Sequence, residues 1–578
     1  MCGIVGILNF DNNKIHKREL KKMTDRLSHR GPDGEGHWVF ENNQIGLGHR
    51  RLAIIDLDKR ASQPMHFLDR YTITFNGEIF NYLEIRSKLI SKKYRFKTES
   101  DTEVLLALYA EMGKDMLSYL DGMFAFAIWD SLKEELFCAR DRFGEKPFFY
   151  FVNKNRLVFA SELKAIWEVG VKREIIDEKI FSFILDNCNS DHSYYKGISK
   201  LDPAHFIIVS KKGEMKISRY WSLDSIEIDQ DISFDSAKTK YLNLFFKSIR
   251  LRLRSDVTVG SSLSGGLDSS SIVSSVKLLK DRNQQQKVFS ARFHNFKKDE
   301  GPFIDILLNQ TSEIKGFNTW PEDHNIMDFV EKVVYHHEEP FSSTSVLAQW
   351  KLMELVKNNQ VTVLLDGQGA DEYLAGYTLE NKIYFTQLFF ENRIKYEEQL
   401  KKFNNIRSQN QKIKHYLESE SYRMRFGRIK RKILNQPINY QTLKSSLKLR
   451  LRSTGFENLL QYADRNSMAF SREIRLPFLS HELVEFIFSL PDNYIINDGW
   501  NKYIHRSCFN DKLPSQICWR KEKVGFEPPQ KRWLSDPLIL NLIEKQRRYY
   551  NIKYTSTENY SYVNDLNWRL FISNFFQN

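Results

Sequence analysis

The sequence predicts a two-domain chain of mixed class, an α+β domain followed by an α/β domain. First, 578 residues exceed what one hydrophobic core usually serves, so roughly two to four domains are expected. Second, residues 2 to about 170 alternate short apolar runs with polar, Gly- or Pro-containing breaks, the pattern of a β-rich unit. Third, residues 256–273 read DVTVGSSLSGGLDSSSIV, where a β-branched run (Val257, Thr258, Val259) precedes two glycines and a helical apolar period. That is the strand–turn–helix unit of a parallel sheet. An acidic stretch (Asp224, Glu227, Asp229, Asp231, Asp235) separates the two regions, giving expected domains at 2–225 and 233–578.

Composition narrows the class. Hydrophobic residues make up 41% and charged residues 28%, an ordinary globular balance. The net charge of +13 suits anionic ligands, but the basic residues are scattered. They are densest at 382–452, which includes RIKRKIL; a solvated helical face is the expected reading there, and no nucleic-acid partner is expected. The five cysteines (Cys2, Cys138, Cys188, Cys508, Cys518) are too dispersed for a zinc knuckle, and their odd number does not suggest a disulfide framework. No apolar run approaches 18 residues and no basic leader precedes residues 4–10, which read as a first strand. A soluble, cytoplasmic chain without a membrane partner is expected.

At the N-terminus, MCGIVGI places a cysteine second. With Met1 removed, Cys2 carries a thiol and a free α-amine, whose reference pKa of about 7.7–8.0 lets it act as a base near neutrality. One residue then supplies nucleophile and base together. Residues 71–75, 123–129 and 136–139 read as buried strands. Between and after them lie RGPDG (30–34), GHRRLAIIDL (48–57), FNGEIFNY (75–82), ESDTE (99–103), ARDRFGEKPFFY (139–150) and FASELKAI (159–166). Asn76-Gly77 has the composition of a type I′ turn. Ser100-Asp101-Thr102-Glu103 reads as a capping box before a helix at 104–112. Residues 197–223 read as a closing hairpin, and 233–253 as an amphipathic helix with Ser233 as its N-cap.

In the second region, Gly265 and Gly266 let the backbone approach a ligand, and the new helix offers free N–H groups to an anion. The neighbouring hydroxyls add donors, and Asp268 suits a divalent cation. No Gly-Lys-Ser/Thr follows, so this is not a Walker A loop. Residues 287–293 (KVFSARF) read as the next parallel strand, and 361–377 (VTVLLDGQGADEYLAGY) as strand, Gly-rich turn and acidic pair. Ligands of doubly wound sheets sit at the strands' carboxyl ends, so this turn is expected to face the SGGLDSS loop.

SGGLDSS resembles the pyrophosphate loop of ATP pyrophosphatases, which cut ATP to AMP and pyrophosphate. Cys2 and the ordered segments up to residue 190 resemble the class II glutamine amidotransferase domain, an N-terminal-nucleophile hydrolase with an αββα sandwich. Together with GQGADE, YADRNSMAFSREIRLPFLS (462–480) and LPSQICWRKEKVGFEPPQKRWL (513–534), the likeness extends to glutamine-dependent asparagine synthetases. That family pairs the sandwich with a doubly wound parallel-sheet ATP-pyrophosphatase domain whose C-terminal part is mostly helical.

The resemblance implies that Cys2 attacks glutamine, that Asn76 and Gly77 form the oxyanion hole, and that Arg50, Asp101 and Glu78 hold the substrate. It places ATP on Leu263, Ser264, Gly265, Gly266, Asp268, Ser269, Ser270, Val288, Ser290, Gly367 and Gln368. Asp268 and Asp371 would share Mg²⁺ on pyrophosphate, and Lys523, with Lys521 as second candidate, would neutralise the phosphates. Implied small-molecule partners are glutamine, ATP and aspartate or another carboxylate, with a homodimer as candidate assembly.

Three positions depart from the family. Gln368 stands where asparagine-forming enzymes commonly have Glu, and it cannot take up a proton. Asp366 replaces Ser, and Ser480 replaces Asp after PFL. The insert at 382–448 is also long. Either another carboxylate (Glu338, Glu339 or Asp366) manages the proton or the acceptor is not aspartate. A β-lactam-synthetase-like ring closure needs no glutaminase, so the Cys2-Gly3-Ile4 start argues against it.

Overall fold

The computed structural model describes all residues except 12, 42–43, 187–192, 280–284, 311, 322–325, 407–439, 522–527, 553–559 and 578, with side chains at 560–564 also left aside. Lys523, Cys188 and most of the basic insert, RIKRKIL included, lie outside the described residues.

The N-terminal region folds as helix, sheet, sheet, helix. One six-stranded sheet orders Ile198–Lys200, Phe149–Val152, Arg156–Ala160, Gly3–Asn9, Ile45–Arg51 and Gly34–Val39. The other orders Met215–Arg219, His205–Ser210, Glu135–Arg140, Gly122–Asp130, Tyr71–Ile79 and Met65–Phe67. All pairings in both are antiparallel. Alternating side chains make this layering possible. Ile4, Leu8, Ile45 and Leu47 of one sheet meet Ala125, Ala127, Trp129 and Leu136 of the other in a buried seam. The opposite faces take helices: Lys17–Asp25 and Leu163–Trp167 on one, Asp101–Met112 on the other.

Local expectations shift in instructive ways. Asn76-Gly77 lies inside the strand Tyr71–Ile79 and not in a turn. The helix starts at Asp101, and its Ser100 cap accepts from the Thr102 N–H. Glu103 does not close a capping box; it accepts from the N–H groups of Lys97 and Thr98. Of the expected closing hairpin, only His205–Ser210 and Met215–Arg219 pair with each other; Ile198–Lys200 joins the other sheet.

The C-terminal region holds a five-stranded parallel sheet ordered Ile314–Thr319, Gln286–Ala291, Val259–Ser262, Val363–Leu365 and Glu473–Arg475. The first strand begins two residues later than the β-branched run suggests, since pairing starts at Val259: 259–261 pair with Val363–Leu365 on one side and 261–262 with Val288 and Phe289 on the other. Chain order runs outward from Val259–Ser262 one way and then returns to its other side, creating a switch point beside Val363–Leu365. The helix Phe234–Arg252, capped by Ser233, packs against this half, and helices dominate after residue 370. No helix among the described residues is long and apolar enough to cross a membrane.

Candidate functional site

The first site assembles around Cys2, at the head of the strand Gly3–Asn9. Cys2 is buried, its N–H donates to Asn76 Oδ1 at 2.9 Å, and its Sγ lies 4.0 Å from the Leu52 carbonyl. Burial pushes the thiol pKa up. Asn76 is wholly buried, and its Nδ2 has no hydrogen-bond partner among the described residues. A buried donor left open beside a thiol is what an oxyanion needs. Gly77 must be glycine, because a Cβ would sit 2.1 Å from the Met123 carbonyl oxygen.

Two carboxylates close the site. Asp101 Oδ2 accepts from the Ile79 N–H at 2.9 Å, and burial pushes its pKa up to about 6. Glu78 is raised well above the usual carboxylate range by burial and by the charges of Asp101 and Glu473.

Arg50 does not join them. Gly3 pairs with Arg50, so Cys2 lies opposite Arg51, and directly opposed residues share a sheet face. The Arg50 guanidinium instead meets Asp25 at 2.6 Å and Glu35 at 3.0 Å. Arg51 bonds the carbonyls of Asp56 and Asp58, and its charge acts on the Cys2 thiol. The arginine on the face of Cys2 is therefore Arg51.

The second site lies at the switch point of the parallel sheet, as its topology requires. Gly265 has φ +74°, and a Cβ there would press on Phe303 at 2.9 Å. The loop is held by its own hydroxyls: the Ser264 N–H donates to Ser269 Oγ at 3.1 Å, and the Gly266 N–H to Ser264 Oγ at 3.3 Å. Ser290 Oγ donates to the Leu263 carbonyl at 2.5 Å, tying the next strand to the loop. Ser270 is buried within the first turn of Leu267–Leu279. Val288 is wholly buried in the apolar core, so its side chain serves packing.

Gly367 approaches closely, its Cβ direction ending 3.2 Å from the Ser269 N atom. The GQG turn thus faces the SGGLDSS loop. Asp268 and Asp371 converge on one cation, the buried Lys502 ammonium, at 2.6 and 2.7 Å. Burial opposes that charge, yet the two carboxylates hold the Lys502 pKa above its ordinary value. Nothing in NKYIH marked Lys502 in the sequence. Lys521 is exposed.

Comparison with known proteins gives these two sites a common context. Residues 1–221 match the family model described as a glutamine amidotransferase domain, and 240–559, more than half the chain, match the one described as asparagine synthase. The chain belongs to the glutamine-hydrolysing asparagine synthetase family. Asparagine synthetase [glutamine-hydrolyzing] 3 of Bacillus subtilis is 31% identical, covering 90% of this chain and 86% of that protein. Asparagine synthetase [glutamine-hydrolyzing] 1 of the same organism is 28% identical over 95% and 90%. Amidase chry2 of Gibberella zeae is 29% identical over 65% and 59%. The protein is accordingly a glutamine-dependent carbon–nitrogen ligase with a glutaminase half and a synthetase half.

One short strand of this ligase touches both sites. The Arg475 carbonyl accepts from the Asp366 N–H at 3.0 Å, beside the GQG turn. The Arg475 guanidinium meets Glu473 at 2.6 Å and reaches Glu78 at 3.8 Å, while Glu473 lies 3.1 Å from the Met1 amine. Between the halves, Met1, Leu52, Ile54, Phe80 and Met123 pack on Leu251, Val363 and Met468. This cluster makes the contact between the halves partly apolar.

The three candidate proton acceptors also separate. Glu338 accepts from the N–H groups of Leu163 and Lys164, and Glu339 faces Lys200 at 2.8 Å and Gln461 at 2.9 Å. Both brace the halves together. Asp366 alone adjoins Gln368: its Oδ1 accepts the Gln368 N–H at 3.0 Å and its Oδ2 the Ser262 hydroxyl at 2.7 Å.

Proposed function

We propose that this ligase makes asparagine from aspartate, using ammonia released from glutamine by Cys2. Removal of Met1 frees the Cys2 amine beside Asn76 Oδ1. That amine takes the thiol proton as Sγ attacks the glutamine amide carbon. Asn76 Nδ2 and the Gly77 N–H stabilise the oxyanion, and Arg51, Asp101 and Glu78 orient the substrate's α-carboxylate and α-amine. Collapse of the intermediate gives a thioester and ammonia; water then releases glutamate.

In the synthetase half, the SGGLDSS loop and the GQG turn hold ATP while the acceptor carboxylate attacks its α-phosphorus. Pyrophosphate leaves, and the ammonium of Lys502 neutralises its developing charge. Asp268 and Asp371, hard carboxylates that meet at Lys502, are the residues that would hold a Mg²⁺ ion on the pyrophosphate. Such an ion would supply further charge neutralisation. Ammonia displaces AMP from the acyl-adenylate, giving the amide. A dry interface protects that adenylate from water, and the apolar contacts of Leu52, Ile54, Phe80 and Met123 with Leu251, Val363 and Met468, which do not depend on Met1, suit the requirement.

The observation carrying this reading is the likeness to asparagine synthetases over nine-tenths of the chain, with both sites joined through Glu473–Arg475. A second reading keeps the chemistry and changes the acceptor to another carboxylate. Gln368 favours it: its buried Oε1 has no hydrogen-bond partner among the described residues, where a carboxylate would be able to manage a proton. The amidase-named relative is compatible with it.

The deciding assay follows AMP, pyrophosphate and asparagine with glutamine, MgATP and aspartate, for wild type and Cys2→Ala. Asparagine formation that the variant supports only from added ammonia establishes the first reading. Glutamine hydrolysis without aspartate-dependent AMP rejects it in favour of another acceptor.

A further inference from the structure

Within the motif at 462–480, Asp464 and Arg465 belong to neither of the two sites described above. Both lie on the helix Thr454–Met468 of the synthetase half, wholly buried against the glutaminase half. Asp464 grips Arg30 with both oxygens: Oδ2 takes Nη1 at 2.8 Å and Oδ1 takes Nη2 at 3.0 Å. Arg30 Nη1 also bonds Glu162 at 2.8 Å, and its Nε donates to the Cys2 carbonyl at 2.9 Å. Arg30 is 0% exposed. Four charge-assisted bonds from one planar guanidinium leave it no other orientation.

The surroundings are ionic throughout. Glu162 faces Lys164, His29 and Arg465 at 2.6, 3.1 and 2.8 Å, and Arg465 reaches Glu338 at 2.9 Å. Lys146 lies 4.0 Å from Asp464. Burial would raise the Glu162 pKa, but Lys164, His29 and Arg465 hold it well below its ordinary value. A buried ion network is weak evidence for stability, since apolar residues of equal volume often do as well. This one ends on the nucleophile.

Cys2 is held at two backbone atoms. Asn76, from the glutaminase half, holds its nitrogen, and Arg30 holds its carbonyl oxygen. Together they fix the Cα, and with it the relation between amine and thiol. The second hold depends on the synthetase half, because Asp464 supplies two of the four bonds that set Arg30.

We propose that Asp464 is a positioning residue for glutamine hydrolysis, acting across the interface through Arg30 on the Cys2 carbonyl. The inference rests on Cys2 being the glutaminase nucleophile. It means that the synthetase half completes the glutaminase site through a defined contact as well as receiving its product.

The test compares full-length wild type, Cys2→Ala, Asp464→Asn, Arg30→Lys and the Arg30→Lys/Asp464→Asn double variant. Glutamine hydrolysis and ammonia-dependent AMP formation are measured for each, together with Tm. Cys2→Ala tests the underlying reading by itself: persistent hydrolysis there would remove Cys2 as nucleophile whatever Asp464 does. With Cys2 confirmed, Asp464→Asn is expected to lower kcat for glutamine about 10- to 100-fold, on the order of a small misplacement of a reacting group. Ammonia-dependent AMP formation should stay within about twofold, and adding Asp464→Asn to Arg30→Lys should cost little more, the non-additivity of residues acting in series. Unchanged hydrolysis, a parallel fall of both activities with Tm, or additive losses in the double variant would each overturn the proposal. Should Asp464→Asn not fold, Asp464→Glu keeps the charge while shifting the grip, and the same split between activities is read from it.

Discussion

Asn76 offers the sharpest test of the glutaminase site, because its two amide atoms have separate tasks. Oδ1 accepts from the Cys2 nitrogen at 2.9 Å, whereas Nδ2 is buried and unpartnered. Asn76→Asp preserves the shape and the acceptor but removes the donor. If Nδ2 meets the oxyanion, its contribution arises only as charge develops on the carbonyl oxygen, so kcat falls and KM moves little. Loss of one such donor costs roughly 10²–10³ in kcat, about 2.7–4 kcal/mol. Glutamate release from glutamine under saturating conditions reads the effect, and ammonia-dependent AMP formation serves as the folding control. A folded Asn76→Asp enzyme hydrolysing glutamine within about threefold of wild type would refute the assignment, since that leaves under about 1 kcal/mol for the donor.

Three further outcomes follow from the same geometry. Asp101 has its pKa raised from 3.8 to about 6, so the folded state binds more protons across that window and stability falls as pH rises through it. Asp101→Asn should therefore gain up to about 3 kcal/mol over wild type at pH 7.5, vanishing toward pH 4, while its KM for glutamine rises; denaturant titrations at both pH values check this. Lys502→Met leaves Asp268 and Asp371 facing each other, so AMP formation should drop by about 100-fold or more with glutamine hydrolysis retained, and the stability loss of roughly 3–5 kcal/mol should be partly recovered by added Mg²⁺. A Tm insensitive to Mg²⁺ in that variant would count against the pair as an ion site. Gln368→Glu should maintain or increase asparagine formation if aspartate is the acceptor; loss of AMP formation with aspartate would favour a different carboxylate.

Much of this enzyme was legible from local chemistry. A thiol at position 2, two glycines between strand and helix, and the apolar runs at 71–75, 123–129 and 136–139 each carry their meaning within a few residues, and the structure builds strands or loops there. The GQG turn and the SGGLDSS loop were legible as neighbours because both follow parallel strands, and topology brings such ends together.

What the sequence did not determine depends on register and on contacts between distant segments. Arg50 and Arg51 are adjacent and chemically identical; only the pairing of Gly3 with Arg50 sends one to Asp25 and the other to the face of Cys2. Lys502 carries no motif, and its place between Asp268 and Asp371 arises from segments more than 100 residues apart. Glu338 and Glu339 resemble free acids in the sequence, but the folded chain commits them to Lys164 and Lys200 across the interface. The same holds for Asp464, whose hold on Arg30 spans 434 residues of sequence. Residue type and spacing set which chemistry is available here. Which side chains share a face, and which buried charge answers another, was decided only when strand pairing and the packing of the two halves brought them together.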